Sequence, residues 1–270
     1  MTTARLAPRT ALFLPASNPR AIEKARGLAA DLVILDLEDA VKDADKAAAR
    51  AAAVEAVATG FGPRLAAIRL NGIESGEHLE DVAAIAGSVA DFAVLPKAES
   101  AADVAQVARA LGKPLLAMIE TPLGVLAAAE IAAVPGVAGL IAGTNDLAAS
   151  LRLPPSSGRA QMSVALQTVV LAARAGQVWA IDGVFNRLDD PEGLAAECRE
   201  GRALGFDSKS LIHPGQIETA AVAFGPTVQE LEDARALIAA ATGGAERYQG
   251  RMIETMHVDQ ARALLERAAD

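Results

Sequence analysis

Aromatic residues are scarce: one Trp, one Tyr and six Phe make up 3% of the 270 residues. A core built without them must come from Ala, Val, Leu and Ile, which suits helices laid on parallel strands that are buried on both faces. Cysteine is scarcer still. The single Cys198 excludes an intramolecular disulfide and fits a reducing compartment, so a cytoplasmic location is expected. Its neighbourhood, EGLAAECREGRAL, is helical in pattern and reads as a packed thiol rather than a nucleophile. Positive charge is in deficit, with 25 Lys and Arg against 34 Asp and Glu, a formal net charge of −9. That argues against a nucleic-acid partner, while a small anion could still be held by a few local cations. No apolar stretch approaches the ~20 residues of a membrane span, and the first apolar run meets Pro15 too early for a signal sequence. A G-x-G-x-x-G turn is also missing, and with it the signature of a dinucleotide-binding open sheet.

What is present is 52% hydrophobic and regularly paced. Short apolar runs at 11–15, 32–37, 65–70, 92–95, 115–119, 138–142, 177–184 and 208–212 read as strands. Ala-rich stretches at 19–30, 45–59, 76–87, 101–111, 123–133, 157–175, 191–204 and 214–223 read as helices, several opening at Pro or Ser and closing near Gly. Strand then helix, eight times over, predicts a closed (β/α)₈ TIM barrel, which needs ~250 residues. The barrel is assigned to residues 1–225. Residues 226–270 are then a C-terminal segment with a helix at 226–241, a Gly-bearing mobile loop at 242–254 and a last short helix at 258–268. Such a segment is a lid, an arm onto a neighbouring subunit, or a frayed end.

In a TIM barrel the chemistry gathers at the C-terminal ends of the strands. The ends here carry Asp36, Glu38 and Asp39; Arg69 and Asn71; Lys97 and Glu99; Glu120; Asn145 and Asp146; Asp182; and Lys209 and His213. Crowded carboxylates repel unless a cation sits among them. Glu120 and Asp146 close neighbouring strands, and two carboxylates with water and substrate oxygens make the oxygen shell Mg²⁺ prefers. Each alone has an ordinary explanation as a helix N-cap or first-turn charge. Arg69 suits a planar carboxylate, held by two parallel hydrogen bonds, or an ion pair with Asp36 or Glu38. Lys97 sits too close to acids for a Schiff-base lysine and reads as electrostatic support. His213 reads as a cap on the last barrel helix or a rim hydrogen bond, ahead of a general base. His78 and His257 fall in polar stretches expected to be exposed, without metal-ligand spacing.

At these residues the chain resembles the citrate lyase β-subunit-like branch of the HpcH/HpaI aldolase/citrate lyase superfamily. The matching segments are LFLPASNPR (12–20), ADLVILDLEDAV (30–41), IRLNG (68–72), LPKAES (95–100), MIETPLG (118–124), AGTNDLA (142–148), AIDGVF (180–185) and KSLIHPGQI (209–217). The resemblance implies Glu120 and Asp146 as magnesium ligands and Arg69 as the arginine that holds the keto-acid carboxylate. It implies Glu38 and Asp39 as acids ordering the metal's waters and the substrate, and places Pro15, Ser17 and Arg20 near a CoA thioester. It also implies a trimer or hexamer whose C-terminal arm covers a neighbour's active site.

One departure stands out. Family members that cut CoA thioesters carry an Asp in a G-x-M-[IV]-D motif of the arm, whereas Gly250-Arg251-Met252-Ile253-Glu254 offers a Glu. The extra methylene adds about 1.5 Å of reach, and misplacement on that scale can cost ~10²-fold in rate. The expected activity is Mg²⁺-dependent cleavage of a malyl- or citramalyl-CoA into a 2-keto acid and acetyl-CoA, with Glu254 as acid/base. The alternatives are a citrate lyase β subunit acting on an acyl-carrier-protein thioester, an aldolase on free hydroxy-keto acids, and a catalytically lapsed barrel that only binds acyl thioesters.

Overall fold

The computed structural model describes residues 6–269. Eight parallel strands close a barrel: β1 (Thr10–Pro15), β2 (Leu32–Asp36), β3 (Leu65–Arg69), β4 (Phe92–Leu95), β5 (Leu115–Ile119), β6 (Val137–Ala142), β7 (Trp179–Asp182) and β8 (Ser208–Leu211). Closure runs through Thr10↔Lys209, Ala11↔Ser210 and Leu12↔Leu211. Outside lie α1 (Pro19–Ala25), α2 (Lys46–Thr59), α3 (His78–Ala86), α4 (Ala101–Leu111), α5 (Pro122–Ala132), α6 (Thr144–Ser150), α7 (Ser163–Gly176), α8 (Pro191–Leu204) and α9 (Ile217–Phe224). The chain continues through α10 (Val228–Ala240), a hairpin of β9 (Glu246–Tyr248) and β10 (Arg251–Ile253), and α11 (Thr255–Ala269). No helix among the described residues is long and apolar enough to cross a membrane.

Strand residues alternate between two cores. Ala11, Leu32, Ile34, Ala67, Phe92, Val94, Leu116, Met118, Ile141 and Ile181 fill the barrel. Leu12, Val33, Leu35, Ile68, Leu95, Ala117, Leu140, Ala180 and Leu211 face the helices. This two-residue period decides what enters the mouth, because a residue two beyond an inward one also points inward. Asp36 follows Ile34, Arg69 follows Ala67 and Glu120 follows Met118, so all three aim into the barrel.

The same parity corrects the sequence reading of Asp182 and Lys209 as mouth residues. Both alternate out of phase with the barrel core and point at the helices. Lys209, fully buried, lies 3.0 Å from Asp182 Oδ2 and 2.6 Å from Glu197 Oε1 on α8, and Arg159 completes the cluster 2.7 Å from Asp182 Oδ1. They tie sheet to helix.

Three local expectations also change. Helix α6 follows β6 directly, and the next helix starts at Ser163 behind a short turn at Arg159–Met162. The run at 177–184 shortens because Gln177, at φ 55, caps α7 in the left-handed region. The loop at 242–254 contains a hairpin whose two-residue turn, Gln249 (φ 47) and Gly250 (φ 80), has the twist that matches paired strands. Gln in place of the usual Asn hid that signal.

Candidate active site

The mouth holds a cavity of about 370 Å³ lined by Phe13, Arg69, Met118, Glu120, Asp146 and Ser210 among others. Arg69 is its fixed point. Nε and Nη2 donate to Asp36 Oδ1 and Oδ2 at 2.7 and 2.6 Å, a bidentate pair that spends most of the guanidinium. Its Nη1 stands 2.9 Å from Glu38 Oε2 and 3.6 Å from Asp39 Oδ2, and its Cζ lies over the Phe13 ring, 5.3 Å from the centroid. Burial opposes the charge of Arg69, but its hydrogen bonds and the charges of Asp36, Glu38 and Asp39 outweigh that and raise its pKa. Of the two sequence readings of Arg69, the ion pair is the one seen, and the residue also lines the cavity.

Asp36 also shapes the turn after β2, accepting from the N–H groups of Glu38 (2.8 Å) and Ala40 (3.1 Å). Beneath it, Lys46 is buried and its ammonium donates to the carbonyls of Leu37 and Glu38 and to Asn71 Oδ1 at 2.9, 3.0 and 2.6 Å. Nothing in the sequence separates Lys46 from an ordinary surface lysine of a first helical turn; only the folded position reveals it. His78 is a correction: it is buried, with Nδ1 2.9 Å from the carbonyl oxygen of Asn71, because α3 turns it under the loop after β3. His257 is half-buried, and its Nδ1 accepts from the Glu254 N–H at 3.0 Å. His213 caps the turn that leads into α9, accepting from Gly215 N–H within a capping box.

The carboxylates lack charge balance. Glu120 is buried and accepts one hydrogen bond, from the Lys97 N–H at 2.7 Å. Burial, with the charges of Glu38 and Asp146 added, pushes its pKa up to about 7 despite that bond. Burial likewise raises Glu38, against the pull of Arg69 and Lys97. Asp146 stands in the first turn of α6, as one sequence reading had it, and lines the same cavity with its side chain 41% exposed. Gly143 makes the approach possible, since a Cβ there would fall 2.3 Å from both Glu120 Cβ and Oε2.

These features fit a hard divalent ion: the donors are carboxylate oxygens, one is buried with too little positive charge nearby, and backbone is cleared beside it. Among the described residues no three His, Cys, Asp or Glu converge as a full cage, so water and substrate oxygens would complete the shell.

The remaining site candidates divide between the cavity and the surface away from it. Asp39 lines the cavity with its side chain 63% exposed. Ser17 and Arg20 are exposed, and of that stretch only Pro15 lines the cavity. Glu254 follows β10 in the C-terminal segment, and no lining residue lies beyond Ile212. A single chain does not bring Glu254 to Glu120 and Asp146.

The HpcH/HpaI aldolase/citrate lyase family model matches residues 9–214. The chain belongs to this family. It is an enzyme of that superfamily, and its citrate lyase β-like character extends over nearly the whole length. A (3S)-malyl-CoA thioesterase of Cereibacter sphaeroides is 44% identical over 269 residues, 96% of this chain and 94% of that protein. A citrate lyase subunit beta-like protein of Mycobacterium tuberculosis is 37% identical over 96% of this chain and 95% of its own length. Among solved structures, protein CitE from M. tuberculosis in complex with magnesium, acetoacetate and coenzyme A superposes with a TM-score of 0.85 at 35% identity, covering 99% of this chain and 100% of that one.

Proposed function

We propose that the chain is a Mg²⁺-dependent enzyme acting on a 3-hydroxyacyl-CoA thioester of the malyl- or citramalyl-CoA type, cleaving it into a 2-keto acid and acetyl-CoA. The observation that carries this reading is the pair Glu120 and Asp146 facing one cavity with the Arg69 guanidinium across it. The similarity to a malyl-CoA enzyme and to a protein complexed with magnesium and coenzyme A supports the substrate class.

A divalent ion held by Glu120 and Asp146 would polarise the substrate's hydroxyl and adjacent carboxylate. The remaining work falls to the chain. Arg69, locked on Asp36, presents Nη1 to the retained carboxylate and keeps the breaking bond aligned. Glu38 and Asp39 order water and substrate beside it. Glu254, delivered by the C-terminal arm of a neighbouring subunit in a trimer or hexamer, takes the hydroxyl proton. The bond between the carbinol carbon and the thioester's α-carbon then breaks. Its electron pair forms the acetyl-thioester enolate, which takes up a proton at carbon, and the carbinol becomes the keto-acid carbonyl. The CoA thioester would approach past Pro15, which lines the cavity, with Ser17 and Arg20 exposed beside it.

A second reading is hydrolysis of the same thioester to the free hydroxy acid and CoA. The similarity to a thioesterase at 44% identity favours it, and both reactions need the acyl portion held in the same way. Purified protein given malyl-CoA and Mg²⁺ distinguishes them. Lysis yields glyoxylate and acetyl-CoA with no free thiol, and hydrolysis yields malate and a free thiol. Neither product at high enzyme concentration would leave a lapsed acyl-thioester binder, and activity only with an acyl-carrier-protein thioester would point to a citrate lyase β subunit. The Glu254→Gln variant should lose turnover yet keep ion binding.

A further inference from the structure

We propose that Lys97 is a built-in counter-cation of the mouth: without a divalent ion its ammonium holds Glu38 and Asp146 together, and the ion enters by displacing it from Asp146. This rests on the ion site of the proposed function and adds a competitor to it.

Lys97 meets carboxylates from three strand ends. Its Nζ donates to Glu38 Oε1 at 2.8 Å and lies 3.8 Å from Asp146 Oδ2, while its own N–H donates to Glu120 Oε1 at 2.7 Å. The backbone that allows this is strained. Lys97 sits at φ 48, in the left-handed region that residues with a Cβ seldom adopt. The following residue locks it there, with Ala98 N–H donating to the Met118 carbonyl at 3.1 Å. The Ala98 carbonyl packs so close to α5 that a Cβ on Gly124 would come within 2.5 Å of it. The turn therefore aims the N–H and the ammonium at the same carboxylates.

The other nearby cations cannot serve. Arg69 is clamped on Asp36, and the Lys46 ammonium is buried among carbonyls. The Lys97 side chain is 48% exposed, on a flexible stem, so its ammonium can leave Asp146 for water while its N–H keeps Glu120 in place. The ammonium and a divalent ion compete for one carboxylate, so removing the ammonium should tighten ion binding.

The test is a titration with Mn²⁺ of wild type, Lys97→Met, Lys97→Gly, Lys97→Arg and Glu120→Gln, after stripping with EDTA, following free Mn²⁺ by electron paramagnetic resonance. Lys97→Gly keeps the N–H and relaxes the left-handed backbone, which protects the fold if Lys97→Met is poorly behaved. Both should bind Mn²⁺ about tenfold tighter than wild type, with Lys97→Arg close to wild type and Glu120→Gln losing the site. Folded Lys97 variants that bind no tighter, while Glu120→Gln loses binding, would overturn the role of Lys97 alone. Wild-type affinity in Glu120→Gln would remove the ion site and this inference with it.

Discussion

Replacing Glu120 with Gln should make the metal-free protein more stable while abolishing its response to Mg²⁺. Glu120 is pushed from the ordinary 4.5 to about 7 by burial and by Glu38 and Asp146. A group whose folded pKa is raised contributes stability that is complete below its unfolded pKa and is lost as pH rises through the folded one. At ~1.4 kcal/mol per unit, the loss at pH 8 is about 3 kcal/mol, while at pH 5 it is under about 1 kcal/mol. Gln keeps the acceptor for the Lys97 N–H and removes the charge. In EDTA at pH 8 the variant should therefore melt about 6 °C above wild type, with the gap closing towards pH 5. Saturating Mg²⁺ should lift wild type by about 3 kcal/mol at a hundredfold excess over its dissociation constant, and the variant not at all. Urea and thermal melts at both pH values, with and without Mg²⁺, read all of this. A variant less stable than wild type in EDTA at pH 8, or one that Mg²⁺ still stabilises, would refute the reasoning.

Other perturbations separate the parts of the site. Arg69→Lys can keep only one of the two parallel contacts to buried Asp36 and should cost about 2 kcal/mol in urea unfolding, with kcat/KM for malyl-CoA falling as well; unchanged stability would mean the pair is not a clamp. Gly143→Ala places a methyl where Glu120 lies, so calorimetry should find Mg²⁺ affinity reduced at least about tenfold, and wild-type affinity would remove the close approach from the account. Cys198 is buried and burial pushes its thiol up to about 11, so a chromogenic disulfide reagent at pH 8 should find no thiol in the folded protein and one after denaturation.

Much of this was legible in the residues. Parallel strands buried on both faces announce themselves as unbroken apolar runs, so the strands at 92–95 and 115–119 match the structure residue for residue. Glu120 and Arg69 could be placed because each ends such a run. Asp182 and Lys209 could not be placed by position alone, since a charge at a strand end enters the mouth only when it shares the phase of the inward residues; counting back two residues to Ala180 would have turned Asp182 outward. Lys46 and His78 were invisible for a different reason. Their burial depends on how α2 and α3 lean over the loops after β2 and β3, which no local pattern encodes. The hairpin at Gln249–Gly250 lacked its usual Asn, and α6 was too short to show a period.

The most direct test is a crystal of the protein soaked with Mn²⁺ and read by anomalous scattering. One peak about 2.1 Å from an oxygen of Glu120 and an oxygen of Asp146, with the Lys97 ammonium drawn away from Asp146, is the expected result. No peak in the barrel mouth at saturating Mn²⁺, or an ion that touches neither carboxylate, would contradict the account.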